Sequence, residues 1–195
     1  IDIYTVSGEK LKELPIGLTQ NTHPFKFGFV VCGPKSIYIY RQSLTLVKEI
    51  AKRKTTKSSL FKKHHACFEN LKDIAITTNK QIAVLDAAQG VINVVDEDGI
   101  SRMTVNPALE SCGKLNDPEA LAIDHSNNFY ISDTGNQRVL RFTHTGTFSR
   151  SLINCKTTPG DKKMHPYGIA ATRTGQLIVV LAGMNNAEIR IYSLP

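Results

Sequence analysis

The residues best equipped for chemistry fall in one short run, Asp133-Thr134-Gly135-Asn136-Gln137-Arg138. Here a carboxylate, a carboxamide and a guanidinium sit within six positions. A carboxylate beside a guanidinium can serve as a general base next to an anion-binding group. The same residue types also make a tight turn. In that reading Asp133 caps the turn, Gly135 or Asn136 takes the left-handed conformation, and Arg138 pairs with a carboxylate between neighbouring units. The turn reading is the stronger because the pattern decays elsewhere in the chain. Asp133 has a counterpart in Asp86, but Cys32 and Leu181 stand at the equivalent places of other segments, and Val91 corresponds to Arg138. Asp133, Gly135, Asn136 and Arg138 are therefore expected to be structural, and no residue is expected to be catalytic.

Metal chemistry finds little support. His23, His165, Glu119 and Asp124 are candidates for the inner ends of strands, but both histidines precede prolines and no histidine-rich ring forms. His125 and His144 sit at turns. The four cysteines (Cys32, Cys67, Cys112, Cys155) make no Cys-x-x-Cys pair, and Cys67 beside His64 and His65 fits no standard zinc spacing. They read as free thiols of a reducing, cytoplasmic compartment. There is no Gly-x-Ser-x-Gly, no His-Glu-x-x-His and no phosphate-binding glycine loop. No cofactor and no metal are expected.

Charge is concentrated in one place. Between Lys48 and His65, seven cationic side chains face Glu49 alone, leaving +6 of a formal net charge of +7. A solvated surface loop is the simplest reading. The functional one is an electrostatic contact made by Lys52, Arg53, Lys54, Lys57, Lys62 and Lys63 with an acidic protein or with single-stranded RNA. Only Phe61 and Phe68 are at hand to stack on bases, which weakens the RNA reading. The longest apolar run, near Leu177–Leu181, is far too short to span a membrane.

The elements that must position these groups are short strands. Over 115–153, Pro118–Asp124 is apolar and Ser126-Asn127-Asn128 is turn chemistry. Phe129–Asp133 is aromatic and β-branched, Arg138–Thr143 alternates, and Thr147–Ile153 is more polar. Four strands of rising polarity joined by tight turns describe one propeller blade with its first strand innermost.

These residues resemble the NHL repeat. Pro118, Leu121-Ala122-Ile123-Asp124, Tyr130-Ile131-Ser132-Asp133 and Thr134-Gly135-Asn136-Gln137-Arg138-Val139, closed by Phe142, follow that pattern. Ala120 and Asn127 replace glycines of the family. The resemblance implies an all-β propeller of four-stranded antiparallel blades, usually six of them. It also implies a parent of the tripartite-motif type, with RING, B-box and coiled coil ahead of the propeller. In such a parent the propeller binds targets for ubiquitin transfer, or in other members single-stranded RNA. Some six-bladed relatives are metal-dependent lyases or lactonases.

An internal repeat extends the blade reading. Stepping back 47 positions from Asp133 reaches Asp86. Leu71–Thr77, Ile82–Asp86, Val91–Val95 and Ile100–Val105 then align without gaps. Forwards, Pro166–Ala171, Gln176–Leu181 and Glu188–Ser193 give three strands. Earlier, Pro15–Thr19 opens a divergent copy that continues with Phe27–Cys32, Ser36–Tyr40 and Leu44–Ile50. The division is 1–14 as the end of a blade, 15–50 as a blade and 51–67 as the basic loop. Then come blades at 68–105 and 115–153, and a last blade at 165–195 that lacks its outer strand. The chain is thus expected to be the C-terminal part of a propeller cut from a longer protein. Leu18, Ile74, Ile76, Leu121, Ile123 and Ile169 are expected to share one inner core.

Overall fold

A computed structural model describes residues 2–4, 10–13, 21–26, 28–51, 68–158 and 163–194. It is all-β. A two-stranded sheet, β1 (Asp2–Tyr4) with β2 (Lys10–Glu13), precedes four blades. The first blade is β3 (Asn21–Phe25), β4 (Gly28–Cys32), β5 (Ser36–Arg41) and β6 (Leu46–Ala51). The second is β7 (Leu71–Ile76), β8 (Ile82–Asp86), β9 (Val91–Val95) and β10 (Ser101–Val105). The third is β11 (Pro118–Ile123), β12 (Phe129–Asp133), β13 (Arg138–Phe142) and β14 (Phe148–Asn154). The fourth has three strands, β15 (His165–Ala171), β16 (Gln176–Ala182) and β17 (Ala187–Ser193). Every blade is an antiparallel meander in sequence order. This is the β-propeller pattern, with β3, β7, β11 and β15 innermost.

One strand differs from the sequence reading. The strand that pairs with β4 is Asn21–Phe25, in register Phe25 to Gly28 and Asn21 to Cys32. Pro15–Thr19, and with it Leu18, lies outside the described residues. The observed strand is polar and contains Pro24, so it gives no apolar signal. Pro24 is tolerated because an innermost strand has one edge free of ladder bonds.

The expected single inner core is instead three cores, each between neighbouring blades. Strand side chains alternate between two faces, and in this fold each face packs on a different neighbour. Val30, Ile37 and Ile39 of the first blade pack with Ile74, Ile82 and Val84 of the second. Ala75, Leu85 and Ile92 of the second pack with Leu121, Phe129 and Leu140 of the third. Ala122, Tyr130 and Val139 of the third pack with Leu177, Val179 and Leu181 of the fourth. Ile74 and Leu121 are buried, whereas Ile76, Ile123 and Ile169 are only partly buried. All five line an open cavity of about 210 Å³ among the inner strands.

One hairpin geometry recurs on the lower side. In the turns beginning at Arg41, Thr77, Asp96, Asp124, Thr143 and Thr172, that residue's N–H donates to the carbonyl four residues on. The residue three places on has positive φ in each: Leu44, Lys80, Gly99, Asn127, Gly146 and Gly175. Only some of these carry the glycine or asparagine that marks such turns.

Candidate functional site

The Asp133 constellation sits on the upper side, where β12 turns into β13 through a short 3-10 turn, Thr134–Asn136. Asp133 is fully buried. Its Oδ1 accepts the Asn116 backbone N–H at 2.7 Å, and its Oδ2 accepts Asn136 Nδ2 at 2.9 Å and Arg138 Nε at 2.7 Å. Arg138 also donates through Nη1 to the Cys112 carbonyl at 2.9 Å. Asn136 Nδ2 is shared with the Lys114 carbonyl at 3.1 Å. The three side chains thus tie the head of the third blade to the segment that arrives from the second. Three of the carboxylate's roughly four acceptor sites are thereby committed to holding the turn.

Two details depart from the sequence reading. Neither Gly135 nor Asn136 takes the left-handed conformation; Gln137 does, with φ of 59°. Gly135 is required for space, since a Cβ there would lie 2.6 Å from Asn116 Nδ2 and 2.8 Å from the Asn116 carbonyl oxygen. Arg138 finds its carboxylate within its own blade, five residues back, because β13 runs directly alongside β12 and pairs Asp133 with Arg138.

The same device survives in reduced form at Asp86. Its Oδ2 accepts the Glu69 N–H at 2.7 Å, and its Oδ1 accepts the N–H groups of Asn70 at 3.1 Å and Gln89 at 3.2 Å. No arginine is needed, since backbone donors supply the bonds. Where Cys32 replaces the aspartate, burial pushes the thiol up to about 12, with the Asp73 and Asp86 carboxylates adding to the shift. Such a thiol stays protonated and inert.

Sequence reasoning missed a latch between the third and fourth blades. His165 Nδ1 meets the Thr134 carbonyl at 2.9 Å, Thr134 Oγ1 donates to the Pro166 carbonyl at 2.5 Å, and Ser132 Oγ donates to the Tyr167 carbonyl at 2.9 Å. Gln137 Nε2 donates to the Met164 carbonyl at 3.1 Å. Thr134 and Gln137 lie within the recognised motif, but their acceptors are backbone carbonyls about 30 residues away, which leave no trace in residue type.

The remaining candidates are dispersed. Glu119 pairs with Lys72 at 2.7 Å. Asp124 closes the β11–β12 turn, accepting Ser126 N, Asn128 N, Asn128 Nδ2 and the Tyr130 hydroxyl. Burial would raise Asp124, but these donors outweigh it and hold the carboxyl below its ordinary value. His23 points Nδ1 at the Pro24 carbonyl, 3.0 Å away. Among the described residues no three His, Cys, Asp or Glu side chains are grouped to hold a metal ion. No helix there is long and apolar enough to cross a membrane.

The basic segment with Lys52, Arg53, Lys54, Lys57, Lys62 and Lys63 lies outside the described residues, as do Cys67, His64 and His65. Its far side returns at Phe68, which is buried in the first inter-blade core, and at Glu69 and Asn70, held by Asp86. The Leu71 N–H donates to the Pro34 carbonyl at 2.8 Å, so the segment rejoins the fold beside the upper Gly33–Lys35 turn. Lys48, at its near end, is bound to Asp98 at 2.5 Å.

The family model described as NHL repeat matches residues 115–142, the stretch that holds the Asp133 staple. The first three strands of the third blade match the NHL repeat, and the fold is a β-propeller. No curated protein matches the chain in sequence. Among solved structures, the WD40 β-propeller domain of Doa1 is similar at 14% identity and TM-score 0.64, over 94% of this chain and 53% of that one. A streptogramin B lyase is similar at 14% identity and TM-score 0.64, over 98% of this chain and 61% of that one. The virginiamycin B lyase of Staphylococcus aureus follows at 14% and 0.61, over 98% and 62%. The chain therefore spans roughly half to three fifths of the chains it resembles. At this identity the likeness is one of fold, which hosts many activities.

Proposed function

We propose that this chain is a non-catalytic macromolecule-binding propeller that engages an acidic protein partner through its upper rim and the basic loop at 51–67. The observation that carries the reading is the fate of the Asp133–Asn136–Arg138 constellation. Its hydrogen bonds go into holding the blade, while six cationic side chains, Lys52 to Lys63, are gathered in one short stretch of sequence between the first and second blades. In the context the NHL resemblance implies, that partner is a target presented to a tripartite-motif RING ubiquitin ligase in the cytoplasm. A RING pattern of cysteines and histidines in the parent sequence is the check on that context.

The alternative reading is single-stranded RNA binding for post-transcriptional regulation, favoured by the same six cations. The third is a metal-dependent lyase or hydrolase, favoured only by the fold shared with the two lyases. A competition experiment separates them. The labelled ligands are a glutamate-rich peptide and a single-stranded RNA, titrated at several salt concentrations. Tighter binding of the peptide supports the protein reading. Tighter binding of RNA, with log affinity falling against log salt at a slope of roughly −3 for four phosphate contacts, replaces it with the RNA reading. Stoichiometric metal with turnover of a cyclic ester would replace both.

A further inference from the structure

On the flank of the third blade that faces the fourth, Arg141 and Arg150 are direct cross-strand partners in the β13–β14 pair. Directly opposed like charges destabilise a sheet unless something sits between them. Six other cations of the described residues are matched: Arg102 by Asp96, Lys26 by Glu97, Lys48 by Asp98, Lys72 by Glu119, Arg138 by Asp133 and Arg190 by Glu188. Arg141 and Arg150 have no carboxylate at ion-pair distance among the described residues. Arg141 Nε is moreover buried with no hydrogen-bond partner, an unusual and costly state for a charged donor.

The surroundings fix the Arg141 side chain rather than neutralise it. Its guanidinium lies against the Tyr130 hydroxyl, which itself donates to Asp124 Oδ2 at 2.9 Å. Asp124 is already saturated by Asn128, Ser126 and Tyr130. Tyr130 is fully buried in the core between the third and fourth blades, against which Leu152, Tyr192 and Leu194 pack as partly buried neighbours. Arg150 is exposed. The pair thus has one arm braced by the core and one arm exposed at the surface.

We propose that Arg141 and Arg150 are the two arms of an oxyanion site that takes a phosphate dianion, free or as a terminal monoester. Two adjacent guanidiniums offer two positive charges and more than four donors. A dianion with three acceptor oxygens matches both numbers, whereas one carboxylate brings a single charge and two oxygens. The site lies on the flank of the third blade and stands independently of the binding role proposed above.

The test uses this chain and titrates inorganic phosphate, phenyl phosphate and acetate at matched ionic strength, read by the Arg side-chain Nε–H resonances and by the thermal midpoint. Phosphate should bind at least about tenfold tighter than acetate, and Arg150→Gln should weaken it about tenfold. Arg150→Lys should recover part of the loss, keeping the charge without the fork. Tighter binding of phenyl phosphate assigns the site to a monoester, and tighter binding of inorganic phosphate to the free ion. Arg141→Gln should act in the same direction. Should that variant fail to fold, Arg150→Gln decides, since its side chain is exposed. Equal phosphate affinity in the wild type and Arg150→Gln, or acetate binding as tightly as phosphate, overturns the proposal.

Discussion

Asp133 Oδ2 and Arg138 Nε meet at 2.7 Å in the third blade, the carboxylate fully buried and the arginine side chain 19% exposed. Removing either partner leaves the other without compensation in a dry environment. Asp133→Ala and Arg138→Ala should each destabilise the chain by about 3 kcal/mol or more. The double variant should cost less than the sum, because the second change removes the stranded charge. Urea denaturation measures both. Full stability in either single variant, with loss of a specific activity, contradicts the staple.

Backbone geometry yields two changes of opposite sign. Gly135→Ala must push against Asn116, whose backbone oxygen would lie 2.8 Å from the new Cβ, and should destabilise by at least about 1 kcal/mol. Lys80 holds φ of 61° in an exposed turn. Lys80→Gly should stabilise by about 0.5–1 kcal/mol, since glycine takes that conformation without steric cost. Thermal melts of the two variants should move in opposite directions.

Most of the fold could be read in the sequence because strand polarity and turn residues repeat with the blades. Ile82–Asp86 and Phe129–Asp133 match observed strands residue for residue. The first blade was harder: Asn21–Phe25 is polar and holds a proline, and Leu44 occupies a left-handed position that sequence assigns to glycine or asparagine. At the site, the residue types of the staple were visible but not their partners. Asn116, Cys112 and Lys114 act through backbone groups, which any residue could supply. The Arg141–Arg150 pairing was hidden for another reason. Register shifts between Val139 and Leu140 and between Arg141 and Phe142 decide which residues stand opposite.

Acid should weaken the chain partly through Asp124. Its carboxyl is held below the ordinary value, so its stabilisation is complete above the unfolded pKa of about 3.9 and is lost as pH falls through the lower folded value. Asp124→Asn should therefore differ most from the wild type near neutrality. The gap should close as the pH drops below about 4. Denaturation midpoints measured from pH 7 to pH 3 provide the check; a gap that widens on acidification contradicts the assignment.

Thiol reactivity should follow burial. Cys32, pushed up to about 12, and Cys155, fully buried, should resist alkylation in the native state. Cys112 is half-buried, and burial raises its thiol too, so it should react slowly rather than not at all. Mass spectrometry after timed iodoacetamide treatment ranks them. Rapid labelling of Cys32 in folded protein would show that the first inter-blade core opens readily.

The central claim, that this propeller binds an acidic protein through its basic loop, is tested most directly by one titration. A labelled glutamate-rich peptide is titrated against the chain and against a variant with Lys52, Arg53, Lys54 and Lys57 all changed to Ser. The account predicts salt-sensitive binding by the first, loss of most of that affinity in the second, and melting curves that nearly coincide. Equal affinity for both proteins, or no binding by the unaltered chain at low salt, contradicts it.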